Sequence, residues 1–257
     1  MDTTQLFSLK GRTALVTGGS RGIGRMIAAG FLAQGAKVYI SARKADACNQ
    51  TAKELSAIGP CVSLPADVST VQGAQALAAA YGQHESRLDI LVNNAGAAWG
   101  AEFDEFPESG WDKVVDLNMK APFFLTQALK PLLSKAGETQ LAKVINIASI
   151  DGIMVNPLET YSYAASKAGL IHLTKRMATH LIKHHIVVTA IAPGAFASEM
   201  NRAARDHAEE VSKHIPSGRI GVDEDMAGAA IFLASRAGDY VVGQTLAVDG
   251  GVTLSRE

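Results

Sequence analysis

Cysteine is scarce, with two in 257 residues. Cys48 and Cys61 permit no disulfide framework and have no metal-ligand spacing, so they read as reduced thiols packed in a core, as expected in a cytoplasm. Charge of either sign is not in excess: 24 Lys plus Arg stand against 25 Asp plus Glu, a net charge of −1. The footprint of a nucleic-acid binder or of a polybasic membrane-surface protein is therefore missing, and small molecules are the expected partners. No uninterrupted apolar stretch approaches the roughly 20 residues of a membrane span. Met1 to Lys10 lacks a basic segment followed by an apolar one, so neither export nor membrane insertion is expected. Internal repeats, low-complexity tracts and a linker are also absent.

What is present is a chain rich in apolar residues (47%) with 24 glycines, long enough to bury a sizeable core in one domain. Apolar runs predict strands at Arg12 to Thr17, Lys37 to Ser41, Cys61 to Ala66, Asp89 to Val92, Val144 to Ala148, Ile186 to Ala192 and Thr245 to Val248. Helical patterns fall between them: after Gly22, at 45–58 and 71–86, from Trp111 past Pro122 to Leu133, from Tyr161 to about Lys183, and at 223–235. Strands that alternate with helices and are apolar throughout specify an α/β fold, a single-domain doubly wound parallel sheet of about seven strands covered on both faces. Pro122 is expected to bend or restart its helix near Asn118. The charged segment 195–216 interrupts the alternation and reads as a lid over a site.

The first strand runs into Gly18, Gly22 and Gly24 and then a helix, which is the form of a phosphate cradle. The spacing departs from G-x-G-x-x-G, and glycines at a helix start also serve purely conformational ends. A site preferring NAD would carry an acid after the second strand. This chain has Ser41-Ala42-Arg43-Lys44 there, and Arg43 with Arg21 could pair with the extra phosphate of NADP. Asp46 keeps an NAD reading open, and Arg43 and Lys44 could also be a solvated helix start.

Tyr163 and Lys167 are one helical turn apart, so an ammonium can sit beside a phenol and lower its pKa, making Tyr163 a general acid or base. Chance placement on a surface helix is the alternative for the pair taken alone. Ser149 ends the fifth strand, where α/β sheets bind ligands, and could hydrogen-bond a reacting oxygen. His180 and His184 are also four apart, but without an acidic third ligand they read as a polar helix end rather than a metal site.

The whole set resembles the short-chain dehydrogenase/reductase family, from Thr17-Gly18-x-x-x-Gly22-Ile23-Gly24 through Asn93-Asn94-Ala95-Gly96, Asn118, Ser149, Tyr163-x-x-x-Lys167 and Pro193-Gly194 to Val248-Asp249-Gly250-Gly251. Within it, Ala97-Ala98-Trp99-Gly100 and Pro193-Gly194-Ala195-Phe196 most resemble 3-oxoacyl reductases of the rhamnolipid-biosynthesis type. The resemblance implies a Rossmann domain over the whole chain, NADP(H) across the switch point between the first and fourth strands, and a catalytic set of Asn118, Ser149, Tyr163 and Lys167. It implies cofactor contacts from Gly18, Ser20, Arg21, Gly22, Ile23, Gly24, Arg43, Asp67, Val68, Asn94, Ala95, Gly96, Tyr163, Lys167, Pro193, Gly194, Phe196 and Ser198. In that scheme Asn94 holds the central strands, Asp67 and Val68 meet the adenine, and Asn118 holds a water that relays protons from Lys167. A serine at position 198 stands where many members have threonine. A homotetramer paired through the long helices is implied as well. Trp99, Met154, Leu158, Phe196 and Met200 favour an acyl or other hydrophobic ketone, although a core role for them stays open. So do a sugar, steroid or xenobiotic alcohol as substrate, and a non-catalytic cofactor sensor.

Overall fold

In the computed structural model, which describes Thr3 and residues 5–255, the apolar runs become strands β1 (Thr13–Thr17), β2 (Lys37–Ser41), β3 (Cys61–Ser63), β4 (Ile90–Asn93), β5 (Ala142–Ile147), β6 (Ile186–Pro193) and β7 (Thr245–Val248). Each pairs in parallel with its neighbour, in the order β3-β2-β1-β4-β5-β6-β7. Between them lie α1 (Gly22–Ala33), α2 (Ala45–Leu55), α3 (Val71–Gly82), α4 (Glu108–Val115), α5 (Ala121–Gly137), α6 (Tyr161–Leu181), the short α7 (Arg202–Asp206) and α8 (Ala208–Ser212), and α9 (Asp223–Ala234). Order reverses between β1 and β4, which opens a crevice at their carboxyl ends.

Successive strand residues point to opposite faces, so the sheet has two cores. Ala14 and Val16 pack with Ile27 and Phe31 of α1 and Met226 and Leu233 of α9. Leu15 packs with Leu77 of α3, Leu129 of α5 and Met177 of α6. At the amino end the buried Arg12 guanidinium donates to the carbonyls of Ala234 (3.1 Å), Asp89 (3.2 Å) and Leu141 (2.8 Å), fastening three connections far from the crevice.

Several boundaries differ from those expected. The third strand stops at Ser63 rather than Ala66, although the Leu64 and Ala66 amides still bond to the carbonyls of Ile40 and Ala42; Pro65 between them faces the open edge of the sheet, where no ladder N–H is needed. The second helix ends at Leu55, ahead of Gly59-Pro60, and the third at Gly82. The helix expected to bend near Asn118 is divided by a π-helical segment, Asp116–Lys120. Pro122 cannot give the Asn118 carbonyl its α-helical partner, and the Ala121 N–H reaches back five residues to the Asp116 carbonyl.

Candidate active site

The first wall of the crevice is the glycine turn. Gly18 has φ of 64°, and a Cβ on it would lie 2.7 Å from Asn94 Nδ2; one on Gly24 would lie 2.3 Å from the Gly18 carbonyl oxygen. Both positions admit only glycine. Helix α1 begins without a side-chain cap and without an acidic residue in its first turn, leaving N–H groups and the positive dipole end facing the turn. The Thr51 hydroxyl donates to the Ser20 carbonyl (2.9 Å) and holds the turn against α2.

Thr17 joins this wall to the next. Its hydroxyl accepts from the N–H groups of Asn94 and Ala95, both at 3.0 Å, while Asn94 Nδ2 donates to the carbonyls of Thr17 (2.9 Å) and Gly18 (3.2 Å). The ends of β1 and β4 are thus latched together at the switch point. Arg21 and Arg43 are exposed at the mouth, and Val68 is buried. Asp67 is held below the usual carboxylate range, chiefly by the Ser69 N–H it accepts at 3.0 Å, with Arg43 adding a smaller effect.

The second half of the site comes from β5, α6 and the π segment. Lys167 is buried, and its Nζ donates to the Ile147 carbonyl at 2.7 Å while lying 5.5 Å from the Tyr163 ring centroid. Burial pushes the Lys167 ammonium down to about 8, Asp151 opposing. Burial pushes the Tyr163 phenol up to about 12, against a lowering by Ser149. This corrects the expectation that Lys167 makes Tyr163 acidic: the ammonium is committed to a main-chain carbonyl, and in the protein by itself desolvation of the phenolate dominates. Ser149 caps the 3-10 turn Ile150–Gly152 by accepting from the Asp151 N–H (3.2 Å).

Asn118 is buried and pinned. Its Oδ1 accepts from the Ala97 N–H (2.8 Å), and its Nδ2 donates to the Ala97 carbonyl (2.9 Å) and to Ser166 Oγ (3.1 Å). Both hydrogens of the side-chain amide are therefore used within the protein. Its place is a joint between the end of β4 and α6. A Cβ on Gly96 would sit 3.2 Å from Asn118 Oδ1 and 3.8 Å from Lys167 Nζ, so Gly96, Asn118 and Lys167 converge.

The last wall follows β6. The Gly194 N–H bonds to the Val248 carbonyl (3.0 Å) just beyond Pro193. Ser198 passes over the glycine turn, its Cβ 3.2 Å from where a Cβ on Gly22 would be, and its hydroxyl accepts from the Asn201 N–H (3.0 Å). Phe196 is corrected as a pocket wall: the residue is 2% exposed, with its ring in the core against Gly221. Trp99 lies on Gly110, with Lys113 Nζ 5.0 Å above its ring. Leu158 (66% exposed) and Met200 (53%) remain on the rim. Among the described residues no group of three or more His, Cys, Asp or Glu is placed to hold a metal; the His180 and His184 rings are 5.7 Å apart, with Lys183 depressing His180. Sequence reasoning missed Thr17, Thr51 and Ser166 as parts of the site. Thr17 could have been found from its place directly before the first glycine.

A glycine cradle latched to a Ser–Tyr–Lys cluster at the switch point of an all-parallel sheet defines a nucleotide-dependent oxidoreductase of the short-chain type. The chain matches the family described as Enoyl-(Acyl carrier protein) reductase over residues 18–253, and it belongs to the short-chain dehydrogenase/reductase family. It is 49% identical to the rhamnolipids biosynthesis 3-oxoacyl-[acyl-carrier-protein] reductase of Pseudomonas aeruginosa, over 96% of this chain and 98% of that one. It is 38% identical to the 2-dehydro-3-deoxy-D-gluconate 5-dehydrogenase of Dickeya dadantii, covering 95% and 96%. The Pseudomonas aeruginosa RhlG/NADP active-site complex superposes with a TM-score of 0.94 at 49% identity, over 97% of this chain and 99% of that one. No helix of the described residues is long and apolar enough to cross a membrane.

Proposed function

We propose that this protein is an NADP(H)-dependent reductase that converts a ketone, of the 3-oxoacyl or a similar hydrophobic class, to a secondary alcohol. The observation that carries the reading is the placing of Lys167 Nζ between Gly96, at the end of the fourth strand, and the Tyr163 ring, with Ser149 beside the Tyr163 phenol. The cradle fits a dinucleotide: Cβ atoms at Gly18 and Gly24 would fill it, α1 presents uncapped N–H groups, and Arg21 and Arg43 are free to meet a ribose phosphate.

NADPH, when bound, supplies a hydride from its nicotinamide. Because the Ser149 hydroxyl accepts from the Asp151 N–H, its own proton is free to donate to a substrate carbonyl oxygen. With its pKa pushed up to about 12, Tyr163 holds its proton at neutral pH and can deliver it to that oxygen as the alcohol forms. Lys167, with its Nζ on the Ile147 carbonyl and beside Gly96, is placed to hold a ribose. Asn118 positions the end of β4 against α6, and the main chain of Pro193, Gly194 and Phe196 closes the nicotinamide side. The segment 195–216, passing over Gly22, serves as the lid. Apolar rim residues Met154, Leu158 and Met200 support a hydrophobic substrate, as does the relative named for a 3-oxoacyl group. A second reading, a sugar-acid dehydrogenase, is favoured by the relative named for 2-dehydro-3-deoxy-D-gluconate. The tetramer paired through α5 and α6 is part of the proposal, and a monomer mass in light scattering would refute that part. NADPH oxidation measured across 3-oxoacyl thioesters, cyclic ketones and 5-ketogluconate tests the reading; turnover confined to 5-ketogluconate would replace it with the second, and no turnover of any of them would remove it.

A further inference from the structure

The structure assigns Ser166 a task of its own: we infer that it is a positioning residue, transmitting the placement of the π segment to Tyr163. This rests on the reading of Tyr163 as proton donor. Ser166 is 1% exposed, on the inner face of α6 between the two reactive side chains. Its hydroxyl donates to the Tyr163 carbonyl (2.8 Å), and its lone pair accepts from Asn118 Nδ2 (3.1 Å). The direction of this chain is fixed. The Ala97 N–H can only donate, so it sets which end of the Asn118 amide is oxygen, and the nitrogen must then face Ser166. A hydroxyl has one proton, and here it goes to the carbonyl of the residue whose phenol does the chemistry. The line from the end of β4 to the reactive turn of α6 is thus Ala97, Asn118, Ser166, Tyr163, each link a hydrogen bond, buried at its centre and part-buried at its two ends.

A second rung joins the same two helices further along. Asn93 Nδ2 donates to Thr126 Oγ1 (3.2 Å) and to Asn146 Oδ1 (2.9 Å), and Asn146 Nδ2 donates to Thr174 Oγ1 (2.9 Å); the two threonine hydroxyls donate to the carbonyls of Pro122 (2.7 Å) and Leu170 (2.8 Å). These side chains are all buried. With this rung intact, loss of the Ser166 hydroxyl leaves the helices packed but frees the turn that carries Tyr163. Ser166 touches no reacting atom, so its effect must appear in turnover rather than in cofactor binding.

The test is steady-state NADPH oxidation by full-length Ser166→Ala, Ser166→Thr and Tyr163→Phe, with 3-oxodecanoyl-CoA as probe, or 5-ketogluconate if the thioester is refused. For Ser166→Ala, kcat is expected to fall about 10- to 100-fold, the scale of a misplacement near one ångström, with KM for NADPH and Tm unchanged. Ser166→Thr, which keeps the hydroxyl, should recover most of kcat. Unchanged kcat in Ser166→Ala overturns the inference; so does a fall matched by weaker NADPH binding and lower Tm, or an equal loss in Ser166→Thr with wild-type Tm. Should Ser166→Ala fail to fold, Ser166→Cys and Ser166→Thr are compared by the same split: kcat lost in Ser166→Cys and kept in Ser166→Thr, with NADPH binding unchanged in both, sustains the inference, while wild-type kcat in Ser166→Cys or an equal loss in Ser166→Thr overturns it. If Tyr163→Phe retains activity, the underlying mechanism fails instead, and the two failures are told apart.

Discussion

The ammonium of Lys167 stands 5.5 Å from the centroid of the Tyr163 ring, yet its short hydrogen bond, 2.7 Å, goes to the carbonyl of Ile147. The pair is therefore not a preformed ion pair. Each member is biased toward its neutral form by burial, Lys167 down to about 8 and Tyr163 up to about 12.

That bias gives stability a pH dependence whose sign is fixed. Folded Lys167 releases its proton near pH 8, whereas in the unfolded chain it does so near 10.5, so between these values the unfolded state binds more protons and stability rises with pH. Tyr163 acts oppositely, and only above about pH 10, where the folded state keeps a proton the unfolded state loses. In urea denaturation of the cofactor-free protein, wild type should gain roughly 2 kcal/mol relative to Lys167→Met from pH 7.5 to 10. A difference that stays flat with pH would show that Lys167 is not buried as a cation.

Two tyrosines lie two residues apart and should behave differently. Tyr161 is exposed, stacked edge-on against Phe103 and Phe106, with its hydroxyl given to Glu159. Tyr161→Phe should leave turnover within about twofold. Tyr163→Phe should lower kcat by about 10²- to 10⁴-fold while keeping NADPH binding, as expected for loss of a general acid. Near-normal reduction by Tyr163→Phe in a stopped-flow assay would contradict the mechanism.

Arg43 is exposed and bonds to no other side chain among the described residues, so its replacement should cost the fold little. Arg43→Asp removes a phosphate partner and adds repulsion; the Kd for NADPH should rise at least about tenfold while that for NADH falls or holds. Isothermal titration with both nucleotides decides it, and equal wild-type affinity for the two would defeat the NADP preference.

The glycine turn makes a packing prediction with an internal control. A Cβ at Gly24 would lie 2.3 Å from a main-chain oxygen, whereas one at Gly82 meets nothing within 4 Å. Gly24→Ala should lose about 1–3 kcal/mol and most of its thermal shift with NADPH, the cost of an overpacked site. Gly82→Ala, near the end of α3, should be neutral or slightly stabilising. Equal melting temperatures for the two would refute the close approach.

The sequence made most of the scaffold legible because it depends on local pattern. Val16, Ile40, Val92 and Ile145 sit in apolar runs that only a doubly covered parallel sheet can bury, and Pro122 announced a break near Asn118. What stayed hidden depends on tertiary surroundings. Spacing put an ammonium near the Tyr163 phenol but could not say that Ile147 would claim it, nor that burial would outweigh it. Phe196 looked like a pocket wall because an aromatic after a Pro-Gly turn is silent about Gly221, the partner that takes its ring into the core. Ser166, next to Lys167, gave no signal in the sequence beyond its place on the turn between the two reactive residues.

The widened turn at Asp116–Lys120 holds the phase of everything that follows it. An α-helix advances about 100° per residue, so deleting one residue there would restore regular pitch and swing Asn118 away from Ala97 while α5 could still find its groove. Such a shortened chain would be a protein of the same architecture with its latch unthreaded: a natural starting point for scaffolds that keep the nucleotide and lose the chemistry.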